Sequence, residues 1–178
     1  MSRRALAALF LAAPLLAGSV LAAPAAHADS RSCRGTIGAQ SLDVDIIVPR
    51  GATCRLNGTR IDGNVQVNRG GTLIASGVRV GGNVQAENHQ RVVVQPRIVD
   101  GRTTRSQVGG SIQLVQGGGG KIARTRVDSD VQLFSNRARF AVRGNVIDGN
   151  LQCKSNNPRP VGGNNVVQGN KEDQCRNL

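Results

Sequence analysis

The sequence predicts an all-β chain wound into a single-stranded, right-handed parallel β-helix (β-solenoid) of about six coils, closed at each end by a disulfide. Three observations carry that expectation: a motif that returns at intervals near twenty residues, a two-residue apolar alternation inside it, and four cysteines that form two pairs about one interval apart.

The motif is first complete at Asp62-Gly63-Asn64-Val65-Gln66-Val67 and returns as Gly81-Gly82-Asn83-Val84-Gln85-Ala86. Gly109-Gly110-Ser111-Ile112-Gln113-Leu114, Asp128-Ser129-Asp130-Val131-Gln132-Leu133 and Asp148-Gly149-Asn150-Leu151-Gln152-Cys153 follow, and Gln168-Gly169-Asn170 opens a degenerate last copy. From Gln66 onward the glutamines step by 19, 28, 19 and 20 residues. A fixed period of this length marks stacked units, and the one long step marks an insertion around residues 95–108.

Val65/Val67, Val84/Ala86, Ile112/Leu114 and Val131/Leu133 each flank a polar residue, which is the period of a strand. A second short alternation precedes each copy at Ile61, Val78/Val80 and Val127, and a looser apolar cluster recurs at Leu73, Val92 to Val94, Ile122, Phe140 and Val142. Glycine and proline punctuate the gaps and leave no helical stripe. Coils of two or three strands would then stack about 4.8 Å apart with apolar columns inward, right-handed by the general preference of parallel crossovers. Gly63, Gly82, Gly110, Gly149 and Gly169 share one corner, where a positive φ would favour glycine. Gln66, Gln85, Gln113, Gln132 and Gln152 are expected to form an outward ladder of stacked amides.

Cys33 and Cys54 are 21 residues apart, and Cys153 and Cys175 are 22 apart. Each gap is close to one coil, so each pair sits at neighbouring levels, within reach of a disulfide. The expected bridges are Cys33–Cys54 and Cys153–Cys175, each closing a loop worth about 3 kcal/mol in the chain-entropy model. An even cysteine count without a Cys-x-x-Cys favours disulfides in an oxidising compartment over a metal site, and no metal or cofactor is expected.

Residues 1–28 have the layout of a secretory signal: Arg3 and Arg4, an apolar run from Ala5 to Ala23, and Ala26-His27-Ala28 as the small-residue exit. Cleavage after Ala28 would leave no later segment apolar enough to span a bilayer. The remaining chain divides into an N-terminal cap and first coil (29–57), the repeats (58–153) and a C-terminal cap (154–178). Polar caps cover the open strand edges of a solenoid, so a monomer is expected.

Residues 29–178 hold 21 basic and 11 acidic side chains, net +10. Such an excess favours polyanions, and an exported location makes an anionic polysaccharide or wall polymer the expected partner. Arg60, Arg79 and Arg126 share one register; the long interval adds Arg97, Arg102 and Arg105, and later coils add Arg124, Arg137, Arg139 and Arg143. Together they are the candidate binding residues, an extended cationic strip suited to carboxylate or phosphate. Nucleic acid fits less well, because no Trp or Tyr is present to stack on bases.

The repeated Gly-Asn-Val-Gln units, and the closing run from Gly149-Asn150-Leu151-Gln152-Cys153 through Gly169-Asn170-Lys171-Glu172-Asp173-Gln174-Cys175, resemble a family of small secreted actinobacterial right-handed parallel β-helix proteins. The resemblance covers nearly all of the chain after residue 28. It implies that fold and a secreted, extracellular or cell-wall-associated location; the family has no established activity, so it transfers no site residues.

The expected function is therefore a non-enzymatic structural or adhesive module, and no catalytic residues are assigned. Two alternatives stand beside it: a small polysaccharide lyase, since Asp62, Asp128 and Asp148 share a corner and could bind Ca²⁺, and a self-assembling solenoid. Corner aspartates more commonly serve turns, and aromatic sugar platforms are missing. His89 is expected to be an exposed loop residue, and Gly117 to Gly120 a flexible corner.

Overall fold

Residues two apart share a face only if the backbone is extended, and every copy of the motif is extended in the computed structural model, which describes residues 29–178. The expected signal segment, 1–28, lies outside the described residues. Each turn of chain contributes one strand to each of three parallel sheets. Sheet 1 has eight strands: Ser30–Ser32, Asp45–Val48, Val65–Val67, Val84–Glu87, Ile112–Val115, Val131–Phe134, Leu151–Lys154 and Lys171–Asp173. Sheet 2 has seven, from Gly35–Ile37 through Thr53–Asn57, Thr72–Ser76, Arg91–Gln95, Gly119–Ala123 and Phe140–Arg143 to Val161–Gly163. Sheet 3 also has seven, running from Ser41–Leu42 to Val166–Val167.

The chain thus makes about eight turns, the last represented only by Lys171–Asp173, where the sequence led to an expectation of about six. The undercount arose at the N-terminal end. Ile46, Ile47 and Val48 pair in register with Val65, Gln66 and Val67, so Val44-Asp45-Ile46-Ile47-Val48 is a copy of the motif without its glycine and glutamine. One turn earlier, Ser30 to Ser32 pair with Asp45 to Ile47.

Inside, the columns are continuous. Ile46, Val65, Val84, Ile112, Val131 and Leu151 stack in sheet 1, beside Val48, Val67, Ala86, Leu114, Leu133 and Cys153. Sheet 3 supplies Leu42, Ile61, Val80, Val108, Val127, Ile147 and Val167. These side chains are almost fully buried except at the two ends of the last column. Both expected disulfides form, with Cα separations of 5.4 Å for Cys33–Cys54 and 5.3 Å for Cys153–Cys175. All four cysteines lie in the core, so each bridge packs against the aliphatic columns near one end of the described turns. Disulfides of this kind belong to an oxidising compartment.

Corners need more than apolar columns, because backbone groups there point away from the ladders. At the corner between sheets 2 and 3, Thr59, Val78, Ser106, Thr125, Asn145 and Asn165 are buried one above another, polar in every turn but that of Val78. Asn145 donates to the Ile122 carbonyl and to Asn165 Oδ1, both at 2.9 Å, while its own Oδ1 accepts the Thr125 amide. Asn136 and Asn156 do the same between sheets 1 and 2. These four asparagines lie outside the repeated motif, so the period does not single them out.

The motif glycines hold a different surprise. Gly63, Gly82, Gly110, Gly149 and Gly169 do not adopt positive φ, contrary to expectation. They are glycine because the side chain of the preceding turn's Asn or Asp lies directly over them: Asp45 over Gly63, Asn64 over Gly82, Asn83 over Gly110, Asp130 over Gly149 and Asn150 over Gly169. Each of those side-chain oxygens accepts the amide N–H of the residue after the glycine, as Asn64 Oδ1 does from Asn83 at 2.8 Å. Closeness between turns, not φ, excludes a Cβ.

Gly82→Ala should therefore destabilise the protein by about 1–3 kcal/mol, the usual cost of overpacking. Gly38→Ala, where an added Cβ meets nothing, should leave the urea midpoint nearly unchanged. Equal midpoints for both variants would remove this account of the corner.

Candidate functional site

Side-chain ionisation is sharply segregated around the three walls. Sheet 2 and its two flanking corners carry fourteen basic residues and a single acid, Asp100. Four of the cations lie on the sheet (Arg55, Arg91, Lys121, Arg143), six at the corner with sheet 1 (Arg34, Arg50, Arg69, Arg137, Arg139, Arg159) and four at the corner with sheet 3 (Arg97, Arg102, Arg105, Arg124). The other ten acids share the remaining surface with seven cations. One side of the solenoid is strongly positive and the other mildly negative.

This division sorts the expected arginines. Arg60, Arg79 and Arg126 do occupy one column of sheet 3, but Gln107 interrupts it and Val146 and Val166 end it. Arg60 pairs with Asp62 at 2.9 Å, and Arg126 pairs with Asp128 at 2.9 Å and with Asp148. Two of the three are thus partly neutralised, and the aspartates considered as Ca²⁺ ligands are engaged with arginine. Among the described residues no group of three or more acidic, histidine or cysteine side chains is placed to hold a metal. Arg137 and Arg139 lie at the corner between sheets 1 and 2, away from the rest. The ten arginines do not form one continuous strip.

The 28-residue interval divides the others. Arg97–Val99 and Arg102–Thr104 form an antiparallel hairpin, the one departure from parallel pairing among the described residues. Its two-residue turn, Asp100-Gly101, has positive φ at both positions (48° and 73°), the geometry that an Asp-Gly pair favours. That dipeptide is the hairpin signal within what the repeat spacing alone marks only as an insertion. At its root Ser106 Oγ donates to the Gln95 carbonyl at 2.6 Å and accepts the Val78 amide, so the chain leaves and re-enters the solenoid at one buried clasp.

On the sheet 3 side of the hairpin lies a small hollow of about 230 Å³ with Arg60, Arg79 and Arg105. On the sheet 2 side lies a larger open groove of about 820 Å³, where Arg97, Lys121, Arg124 and Arg143 converge with no carboxylate among the lining side chains. Arg102 stays exposed on the returning strand. Lys121, absent from the expected set, pairs with Ala141 in the centre of sheet 2; its register becomes visible only once the glycines at 119 and 120 are seen to be strand residues.

The glutamine ladder is occupied by itself. Gln85 donates to Gln113, Gln113 to Gln132, Gln132 to Gln152, and Gln152 to the Glu172 carboxylate, at 2.8–3.0 Å. Gln66 instead donates to Asn68. Four of the five glutamines therefore commit one of their two N–H groups along the axis rather than to a ligand.

His89 is not an exposed loop residue. It is 2% exposed, its ring meets that of Phe140 edge-on at 5.9 Å, and neither ring nitrogen makes a sound hydrogen bond. Nor is Gly117 to Gly120 a flexible corner: the His89 ring covers Gly117, and Gly120 leaves room for Phe140 and the Val92 carbonyl. Burial pushes the imidazole down to about 4, weakly opposed by the Ala86 carbonyl. A buried neutral imidazole without a nucleophile beside it reads as packing.

No protein-family model, no curated protein and no solved structure matches the chain.

Because His89 binds its proton more weakly folded than unfolded, its contribution to stability is complete above pH 6.5 and declines as pH falls toward about 4. The loss over that window should reach about 3 kcal/mol. His89→Leu should flatten the dependence of the unfolding free energy between those values, measured by denaturant titration. An unchanged slope in the variant would show that His89 is not its source.

Proposed function

We propose that this protein is an exported, non-enzymatic adhesive module that binds anionic polymers of the cell envelope or matrix through its sheet 2 side. The observation that carries this is the charge segregation: fourteen cations against one carboxylate on sheet 2 and its corners, with the acids gathered elsewhere. Solubility alone needs only a net charge. Keeping nearly all carboxylates off one long wall maintains an attractive field there, in which successive cations act on one extended ligand. Arginine predominates, and its planar fork suits carboxylate, sulfate and phosphate groups.

Export is part of the same proposal. The layout of residues 1–28 supports it, and two buried disulfides fit an oxidising environment. Among the described residues no helix is long and apolar enough to cross a membrane.

Retention on an immobilised polyuronate should fall steeply as salt rises. Replacing Arg55, Arg91, Lys121 and Arg143 with glutamine should lower the eluting salt concentration far more than the same change at Arg31, Arg60, Arg79 and Arg126. The net charge is equal in the two variants. Indistinguishable elution would mean that only total charge matters, and the proposed face would be lost.

A further inference from the structure

The groove beside the hairpin combines three kinds of chemistry that the rest of the positive wall does not. Its N-terminal edge is the outward column Asn57, Ser76 and Gln95, neutral groups that both donate and accept; Gln95 already donates to Ser76 at 3.2 Å. Its C-terminal edge is the cationic set Lys121, Arg124 and Arg143. The hairpin wall adds Pro96 and Ile98, the latter 66% exposed although it is a large aliphatic side chain. From Asn57 on the second turn to Asn164 on the seventh, five steps of strand spacing give a length of about 24 Å along the axis.

The hairpin is fixed in place, not merely appended. Arg97 crosses back over two turns, and its Nη1 donates to the Asn57 carbonyl at 3.4 Å. An added Cβ on Gly77 would stand 2.5 Å from Arg97 Cβ, and one on Gly58 would stand 2.6 Å from Arg97 Nη1. Both glycines have positive φ, +62° and +69°. Their bare backbones are the seat on which the hairpin root lies, and they hold one cation at the groove's far end.

We infer that this groove is a binding site for a single chain of acidic polysaccharide, laid along the solenoid axis and gripped by the hairpin. This rests on the proposed polyanion-binding function and narrows it to one ligand class and one place. A uronic-acid chain presents carboxylates, hydroxyls and apolar C–H faces together. The cations match the first, the amide and hydroxyl column the second, and Pro96 and Ile98 the third. A polyol phosphodiester would use the cations and the hydroxyl column but offers no rigid apolar ring face to Pro96 and Ile98. Nucleic acid would look for aromatic platforms, and none lines the groove.

The test uses a short uronic-acid oligomer, too small to bridge distant charges, titrated calorimetrically into the folded protein. Deleting residues 96–104 joins Gln95 to Arg105 and reduces the 28-residue interval to 19, the ordinary period. The deletion removes Arg97, Arg102 and Asp100, so net charge falls by only one. Affinity for the oligomer should fall at least tenfold, while retention on the long polymer persists. A second variant, Lys121→Gln with Arg124→Gln, keeps the hairpin and should also lose at least tenfold. Its control, Arg31→Gln with Lys154→Gln, loses the same charge on sheet 1, outside the positive wall, and should change less than twofold. Circular dichroism of each variant confirms that the solenoid is intact; if the deletion does not fold, the paired substitutions decide. Equal losses in the variant and its control would overturn the groove as the site. Equal affinity for a phosphodiester oligomer of the same charge would overturn the ligand class. Absence of retention on the long polymer would instead overturn the broader function.

Discussion

Every feature of this molecule depends on turns stacking in register, so that each backbone amide finds its partner one turn away. A parallel ladder of this kind has no lateral freedom. If one turn slipped by a single residue, its inward side chains would face solvent and its polar ones the core. Register is therefore held redundantly, by the aliphatic columns, by the buried asparagines at two corners, and by the Asn or Asp that reaches over the next turn's glycine at the third. The columns act along the three walls, and the two polar devices divide the three corners between them. No turn is stable alone, since each buries its faces only against its neighbours.

The repeat was legible because it sits at the corner under the tightest constraint. There a glycine, an acceptor side chain and an outward glutamine recur at fixed spacing, and the sequence repeats them closely enough to be seen although Val44 and Ser129 take the glycine's place in two turns. The period and the two-residue alternation led directly to parallel sheets and to the disulfide pairing. What escaped was whatever a looser rule governs. Asn145 and Asn165 fill a buried column that Thr59, Ser106 and Thr125 fill elsewhere, so several residue types serve and no letter repeats. Ile47 replaces glutamine in the second turn and conceals a whole rung.

The candidate site was legible only in part, for a related reason. Counting arginines identified a basic protein but could not place its acids. Arg60 and Arg126 match the strand register as expected, and the structure sets aspartates beside them. Arg124 and Arg143 stack on neighbouring turns beside Lys121, and the hairpin adds Arg97 to their groove. That convergence depends on where the insertion folds, and its cue was the dipeptide Asp100-Gly101 rather than any feature of charge.

The amide ladder on sheet 1 also has a direction. From Gln85 each glutamine gives an N–H to the turn that follows, and from Gln113 each also takes one from the turn before, until Glu172, which can only accept. A carboxylate there works as a full stop. New turns could be spliced into the middle of such a chain without disturbing its grammar, whereas anything appended after residue 172 would meet a side chain with nothing to hand on. The solenoid is extensible from within and sealed at its end.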